Sequence, residues 1–219
     1  MTKPGSTSRT TLKRLAEKAS DKISDLHSIL DDNFVAHVGV VIDGSPLVIP
    51  MAYGRSEDVI YLHGSSGSRL MRHLEKEPEV CVTVTELNAL QVSRSTFNSS
   101  MHYRSVVIFG TAKLVPSQEK QRALDVVSEA LIPGRVAEAR PTTKKEVAGT
   151  LILSLSMEEA SVKISAGEID DPEEDINRGY WAGTIPLTTV VGDAIPADEE
   201  SVSLPVPESV KRLIARRSR

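Results

Sequence analysis

The chain has 219 residues, of which 40% are hydrophobic and 26% are charged, and its formal net charge is −4. This size and hydrophobic content suit one domain with a true core, and the slight acidity excludes a broad basic surface for nucleic acid. A single cysteine, no signal-peptide core and no run of about 18 apolar residues indicate a cytoplasmic protein without a disulfide or a membrane span.

The first third of the chain predicts helices followed by a β-meander. Residues 1–10 are polar, and we expect them to form a disordered tail. Apolar residues at helical spacing between Leu12 and Leu30 predict two short helices. Residues 34–63 predict three strands, and Asp43-Gly44 is typical of the turn in a β-hairpin. Because a parallel sheet needs a crossover after each strand, this meander favours an antiparallel sheet.

The rest of the chain alternates further strands with helices. The sequence predicts strands at 79–85, 87–95, 104–115, 149–164 and 180–192, and helices at 68–76, 117–131 (with Ser117 as N-cap), 142–148 (with Thr143 and Glu146 as a capping box) and 208–217. A proline-rich linker at 196–207 precedes the last helix. The fold class is therefore mainly β with peripheral helices, an antiparallel barrel. We expect its domain to span residues 11–192, followed by the linker and helix at 193–219.

Two charged clusters are interpreted as solvated surface. The acidic residues between Glu168 and Asp175 lack the regular oxygen-ligand spacing of a calcium loop, so the sequence predicts no metal site. The basic residues at 211–219 are expected to form an exposed helix face. Neither cluster therefore indicates a binding site.

The turn Gly64-Ser65-Ser66-Gly67 lies between a predicted strand and a predicted helix. Glycines allow backbone N–H groups to approach an anion at such a turn, and Ser65, Ser68 and Arg69 add hydroxyl and guanidinium donors. This pattern is typical of a phosphate site. The same pattern also fits a Ser/Gly loop that caps a surface helix. Neither a Walker lysine nor a G-x-G-x-x-G accompanies the turn.

Four segments in this order carry a family resemblance: Ile49–Tyr53, Tyr61–Arg69, Tyr103–Gly110 and Tyr180–Leu187. Over residues 11–190 the chain resembles the pyridoxamine 5′-phosphate oxidase-related flavoproteins, in particular their nitroimidazole-reductase-like branch. That family shares an FMN-binding split β-barrel and is dimeric, with each flavin between two subunits. The resemblance therefore implies an antiparallel split barrel, FMN as the cofactor, and a homodimer with the flavin at the subunit interface.

The resemblance also implies which residues bind the cofactor. It places Pro50, Met51, Ala52 and Tyr53 along the flavin ring, His63 beside the flavin or the substrate, Gly64, Ser65, Ser68, Arg69, Arg104 and Ser105 around the FMN phosphate, and Trp181 beside the cofactor. His63 is alternatively a strand-end histidine bonded to backbone, and Trp181 is alternatively a core aromatic. His37 and His102 are interpreted as structural, and Arg72 and His73 as exposed.

The implied function is that of an FMN-dependent oxidoreductase, which transfers hydride or electrons through flavin N5 to an unidentified small molecule. His63 is the candidate catalytic residue. The segment 182–187 has no Arg or Lys, and Leu70 stands where the biosynthetic oxidase has a cation, so pyridoxamine phosphate is disfavoured as substrate. Two alternatives remain: a flavin-sequestering protein without turnover, and a relative that uses deazaflavin or haem. His63, His102 and Cys81 are the candidate haem ligands.

Overall fold

The computed structural model describes the backbone of residues 1–217 and the side chains of residues 1–215. The strands are β1 Ala19–Ser20, β2 Val35–Ile42, β3 Ser45–Ser56, β4 Val59–Ser65, β5 Glu79–Val92, β6 Ser100–Thr111, β7 Lys113–Leu114, β8 Thr150–Ser156, β9 Glu159–Ser165 and β10 Gly183–Pro186. The helices are α1 Ile23–Asp31, α2 Arg69–Leu74, α3 Lys120–Leu131, α4 Arg135–Glu138, α5 Lys144–Ala148, α6 Glu199–Ser203 and α7 Glu208–Arg217. The protein is therefore mainly β, and its registered strand pairs are antiparallel, as the sequence predicts.

The chain divides into two compact units, and the first comprises residues 1–50, 80–110 and 157–188. Its strands are hydrogen-bonded in the order β1-β9-β6-β5-β2, and β10 pairs with β5. Alternate residues of these strands are buried, for example Val80, Val82 and Val84 on β5. The buried side chains of α1 include Leu26 and Ile29. Period-two burial of branched residues is what the sequence pattern predicts for a sheet with one face toward a core.

The second unit comprises residues 51–79 and 111–156 and the described part of 189–219. Here β4 lies between β8 and the second half of β3, and β7 pairs with the other edge of β8. Helix α3 packs directly on β3, because a Cβ atom at Gly54 would lie 2.7 Å from Cα of Val127. Helix α2 packs as closely on β4, since a Cβ atom at Gly64 would lie 2.8 Å from Cγ of Met71. Glycine at both positions is what permits this approach.

Two local predictions are confirmed in detail. Asp43 and Gly44 both have positive φ, 52° and 77°, which is the conformation of a tight hairpin turn between β2 and β3. Thr143 and Glu146 form a complete capping box at the start of α5. Both features depend on the chemistry of adjacent residues, which is why a pattern of two to four residues identifies them.

Several element boundaries were wrong. The strands predicted at 79–85 and 87–95 form one strand, β5, because Glu86, which was expected to join two strands, lies inside a single one. The strand predicted at 149–164 is two, β8 and β9, joined at Met157, a buried apolar residue that carries no turn signal. Ser117 is not a cap, since α3 begins at Lys120 after Glu119, which makes no side-chain cap bond.

The two terminal segments have more structure than their composition suggests. The backbone N–H of Gly5 donates to the carbonyl of Ala160 (2.8 Å), and Thr10 is buried. The polar segment predicted as a disordered tail thus follows β9 through hydrogen bonds, and Pro4 is buried as well. The proline-rich linker contains α6, which Asp198 caps by accepting from the N–H of Ser201. The domain boundaries given above stay predictions, and of the basic residues at 211–219 the side chains of Arg216, Arg217 and Arg219 lie outside the described ones.

Candidate functional site

One face of the second unit's sheet carries His63. Residues of β4 alternate between faces, so Tyr61 and His63 share one face while Ile60 and Leu62, both fully buried, lie on the other. In the register, Tyr61 pairs with Gly54 on β3 and His63 pairs with Ile152 on β8. Continuing the β3 register by two residues from Gly54 places Ala52 opposite His63 on this same face. The sheet therefore brings Ala52, His63 and Ser65 together.

The His63 imidazole is half-buried, and its Nδ1 atom is buried without a hydrogen-bond partner among the described residues. Burial lowers the pKa of His63 below its usual value of 6.5, because removal from water disfavours the charged ring. The side chain is thus neutral at neutral pH. A neutral imidazole with an unsatisfied buried nitrogen is suited to a ligand that offers a donor, an acceptor or a metal. The strand-end alternative, in which backbone satisfies the ring, does not account for this nitrogen.

The backbone N–H groups of Ser66, Gly67 and Ser68 in the loop after β4 already donate hydrogen bonds within the chain. The N–H of Ser66 donates to the carbonyl of Gly149 (3.0 Å), and that of Ser68 donates to the carbonyl of Ser65 (2.9 Å). The N–H of Gly67 donates to Oγ of Ser65, and Oγ of Ser68 accepts from the N–H of Met71. The backbone therefore fits the alternative interpretation, a loop that caps α2. A phosphate role for this loop stays a prediction and depends on the hydroxyls and on Arg69, which is exposed.

Arg104, in the first unit, is bound to carboxylates. Its guanidinium donates to Glu86 through Nε (3.0 Å) and Nη2, to Oγ of Ser28 through Nη1 (3.2 Å) and to Asp32 through Nη2 (3.4 Å). Ser105 is the next residue of β6 and therefore points to the opposite face of the strand. The geometry gives no support to a phosphate site that uses Arg104 and Ser105 together, and their predicted role remains untested.

The segment predicted to lie along the flavin ring passes from exposed to buried along its length. Tyr53 is only 2% exposed, so its ring packs in the core instead of forming an outer wall. Gly54 is likewise buried under α3. Pro50 is exposed, and Met51 and Ala52 are intermediate. Of the predicted wall, Pro50, Met51 and Ala52 remain accessible to a ligand.

Trp181, in the first unit, is 67% exposed, and so the core-aromatic interpretation was wrong. Its indole lies over Gly183, where a Cβ atom would come within 2.6 Å of two ring carbons. An exposed indole held against backbone is a ready stacking surface. The signal for this arrangement in the sequence is the small residue two positions after the tryptophan.

His63 is not alone in having an unsatisfied nitrogen. The Nε2 atoms of His73 on α2 and His102 on β6 are buried and lack a hydrogen-bond partner among the described residues. The prediction that His73 is exposed was wrong. It lies three residues after the buried Leu70 and thus on the same side of the helix. Cys81, the remaining candidate haem ligand, is intermediate in exposure.

Neither a ready metal cluster nor a membrane helix accompanies these residues. Within the described chain, no group of three or more His, Cys, Asp or Glu side chains is arranged to hold a metal ion. Among the described helices, none combines the length and the apolar character needed to cross a membrane.

Comparisons with known proteins agree on one family. Residues 23–164 match the family model described as Pyridoxamine 5′-phosphate oxidase. The FAD and haem binding protein from Mycobacterium smegmatis is 40% identical, with 89% of this chain and 96% of that chain covered and a TM-score of 0.87. The flavocytochrome Anf3 from Azotobacter vinelandii is 35% identical, with 97% and 98% covered and a TM-score of 0.89.

A more distant structure shares the fold. The putative 5-nitroimidazole antibiotic resistance protein from Bacteroides thetaiotaomicron is 20% identical, with 67% of this chain and 86% of that chain covered and a TM-score of 0.57. No curated protein matches the chain.

Proposed function

Because the chain belongs to the pyridoxamine 5′-phosphate oxidase family, whose split-barrel fold it has, we propose that it binds a flavin and transfers electrons through it. The observation that carries this proposal is the half-buried, neutral His63, with its unsatisfied Nδ1 on the sheet face shared with Ala52 and Ser65. When bound, the flavin supplies hydride or single-electron transfer at its ring.

The protein's part is to bind and orient the cofactor. The neutral His63 imidazole contributes a hydrogen bond to the flavin or the substrate without adding a charge. Ser68 and the exposed Arg69 hold the phosphate, since a guanidinium can donate two parallel hydrogen bonds to its oxygens. Trp181, in the first unit, is proposed as a cofactor contact on the family resemblance alone, with its exposed indole as the stacking surface. None of these side chains is proposed to act as a nucleophile, because the cofactor carries the reaction.

We propose FAD as the flavin, because the Mycobacterium smegmatis relative binds FAD and haem by its name. FMN, which the family resemblance implies, is the alternative. Denaturing the purified protein and identifying the released flavin by chromatography and mass spectrometry decides between them. Release of a deazaflavin, or of no flavin from protein that also fails to bind FAD and FMN in a titration, would overturn the proposal.

Haem is a second candidate cofactor, supported by the two relatives named for haem or cytochrome and by the histidines. A histidine that serves as an axial ligand needs a ring nitrogen free to bind iron, and His63, His73 and His102 each keep a buried nitrogen without a hydrogen-bond partner among the described residues. His63 is the candidate in which the neutral form is additionally favoured by burial. Adding haem to the protein should shift the haem absorption spectrum, and His63→Ala should abolish the shift if His63 is the ligand.

We also propose a homodimer. Strand β2 buries Ala36, Val38 and Val40, yet its other face exposes Val35 by 48% and Val41 by 60%. Exposed apolar side chains also occur on β3, β5 and β10 of the first unit: Val48, Leu87, Leu90 and Ile185. A sheet with apolar side chains on both faces usually has both faces buried against other parts of a protein. We propose that a second copy of this chain buries the outer face. Light scattering that shows a monomer with flavin bound would contradict this.

A further inference from the structure

A polar and an apolar cavity of the second unit meet at Arg135. One cavity, of about 500 Å³, is lined by aliphatic residues of the C-terminal segment, among them Ile195, Leu204 and Val210. The other, of about 440 Å³, is lined mainly by polar side chains of α3 and the segment after α4, among them Ser128. Arg135 lines both, and among the described residues lining the apolar cavity it is the one that carries a charge.

Arg135 is half-buried, and its guanidinium has no hydrogen bond or ion pair among the described side chains of residues 1–215. The nearest carboxylate in its electrostatic range, Glu138, accepts hydrogen bonds from the N–H and Oγ of Ser209. Those hydrogen bonds, followed by the charges of Arg212 and Arg135, lower the pKa of Glu138. Glu138 is thus ionised but already engaged. A partly desolvated guanidinium with five donors and no acceptor of its own is suited to an anion from outside the chain.

The other charged groups near the junction have partners. Asp125 accepts from the side-chain amide of Gln121 (2.8 Å), and Glu129 accepts from the backbone N–H groups of Gly134 and Val136. Arg140 is paired with Glu146. Arg135 is therefore the charged side chain lining these cavities that is left for a ligand.

We propose that this junction binds an amphipathic carboxylate, with its head group on Arg135 and its aliphatic body in the cavity formed by residues 194–210. The lining there is aliphatic and proline-rich, without an aromatic surface for stacking a ring. A volume of this size is within the range of small-molecule sites. None of the residues proposed to hold the flavin lines either cavity. The carboxylate site can therefore be tested separately from the proposed flavin binding.

Decanoate is the probe, titrated by calorimetry into the full-length protein as purified. We expect saturable binding with one decanoate per chain and a rise in melting temperature with decanoate concentration. Arg135→Gln should weaken binding at least about tenfold, since it removes a charge-assisted hydrogen bond. The affinity of Arg135→Lys for decanoate should lie between those of wild type and Arg135→Gln, because lysine keeps the positive charge but cannot donate two parallel hydrogen bonds. Decanol, which has the same chain without the charge, should bind at least about tenfold more weakly.

Arg122→Gln is the matched control, because Arg122 is an exposed arginine of α3 that lines neither cavity. It should leave decanoate binding unchanged. Without ligand, Arg135→Gln should not lower the melting temperature, whereas a purely structural arginine would give a clear loss. The proposal is overturned if decanoate does not saturate, if Arg135→Gln binds it as well as wild type, or if decanol binds as tightly as decanoate. The cavities would instead belong to an interface with a second copy of the chain if two results came together. Wild type would not bind decanoate, and Arg135→Gln would change the oligomeric state.

Discussion

Arg104 in the first unit and His63 in the second both lie on central strands, and both resemble flavin-binding residues in sequence. Their surroundings differ in one respect. The Arg104 guanidinium finds its acceptors within the chain, on Glu86, Asp32 and Ser28. The His63 ring keeps a buried nitrogen that the chain does not satisfy.

The comparison teaches how to separate structural from ligand-binding polar residues in a fold of this kind. A polar group whose hydrogen bonds are complete stabilises the protein and gains little from a ligand. A buried polar group left incomplete costs stability until a ligand satisfies it. We therefore expect substitutions at Arg104 to act on folding and substitutions at the flavin site to act on binding.

The largest effect on the stability of the protein is expected at Arg104. Arg104→Ala leaves Glu86 and Asp32 close together without their cation, and we expect a loss of about 2 kcal/mol in the free energy of unfolding. This is below the usual cost of breaking a buried pair, because the three side chains are 27%, 28% and 44% exposed. Urea unfolding measures it, with the exposed Arg122→Ala as control. If Arg104→Ala left the stability unchanged and strongly weakened flavin binding, Arg104 would be a flavin-binding residue and not a structural one.

The second effect concerns Arg69. Arg69→Ala should weaken FAD or FMN at least about thirtyfold, equivalent to about 2 kcal/mol, because a partly desolvated phosphate loses its cation. Riboflavin, which lacks a phosphate, should be affected much less, and Arg69→Lys should restore part of the affinity. Calorimetric titration with the three flavins provides the measurement. Equal losses for riboflavin and FMN, or no loss for either, would mean that the loop after β4 is not the phosphate site.

The smallest effect is a pH dependence from His63. Burial lowers its pKa in the folded protein below 6.5, so below that pH the unfolded chain binds a proton that the folded chain does not. Stability of the flavin-free protein should therefore fall as the pH drops from 6.5 toward the folded pKa. In His63→Gln this part of the pH dependence should vanish, and in His37→Gln, an exposed histidine on β2, it should persist. Unfolding curves at several pH values between 7.5 and 5 test this, and identical profiles for wild type and His63→Gln would contradict it.

Several features could be predicted from the sequence because they depend on the chemistry of neighbouring residues. The β2–β3 turn follows from Asp43-Gly44, the start of α5 follows from Thr143 and Glu146, and the burial of β5 follows from its alternating valines. Each depends on residues within a few positions of one another, because backbone dihedrals and caps are set locally. The family resemblance rests on four such short segments taken in order.

Only the tertiary structure decided which polar residues are left for ligands. Arg104 meets partners 18 and 72 residues away, and no local pattern reveals that its donors are used. The same holds for Arg135 and for the unsatisfied nitrogens of His63, His73 and His102, since satisfaction depends on which distant groups come within hydrogen-bond distance. The sequence by itself determined the β-rich character of the chain, the β2–β3 turn and the family, whereas folding determined the exact strand boundaries and which donors and acceptors remain unpaired, because pairing is a property of three-dimensional proximity.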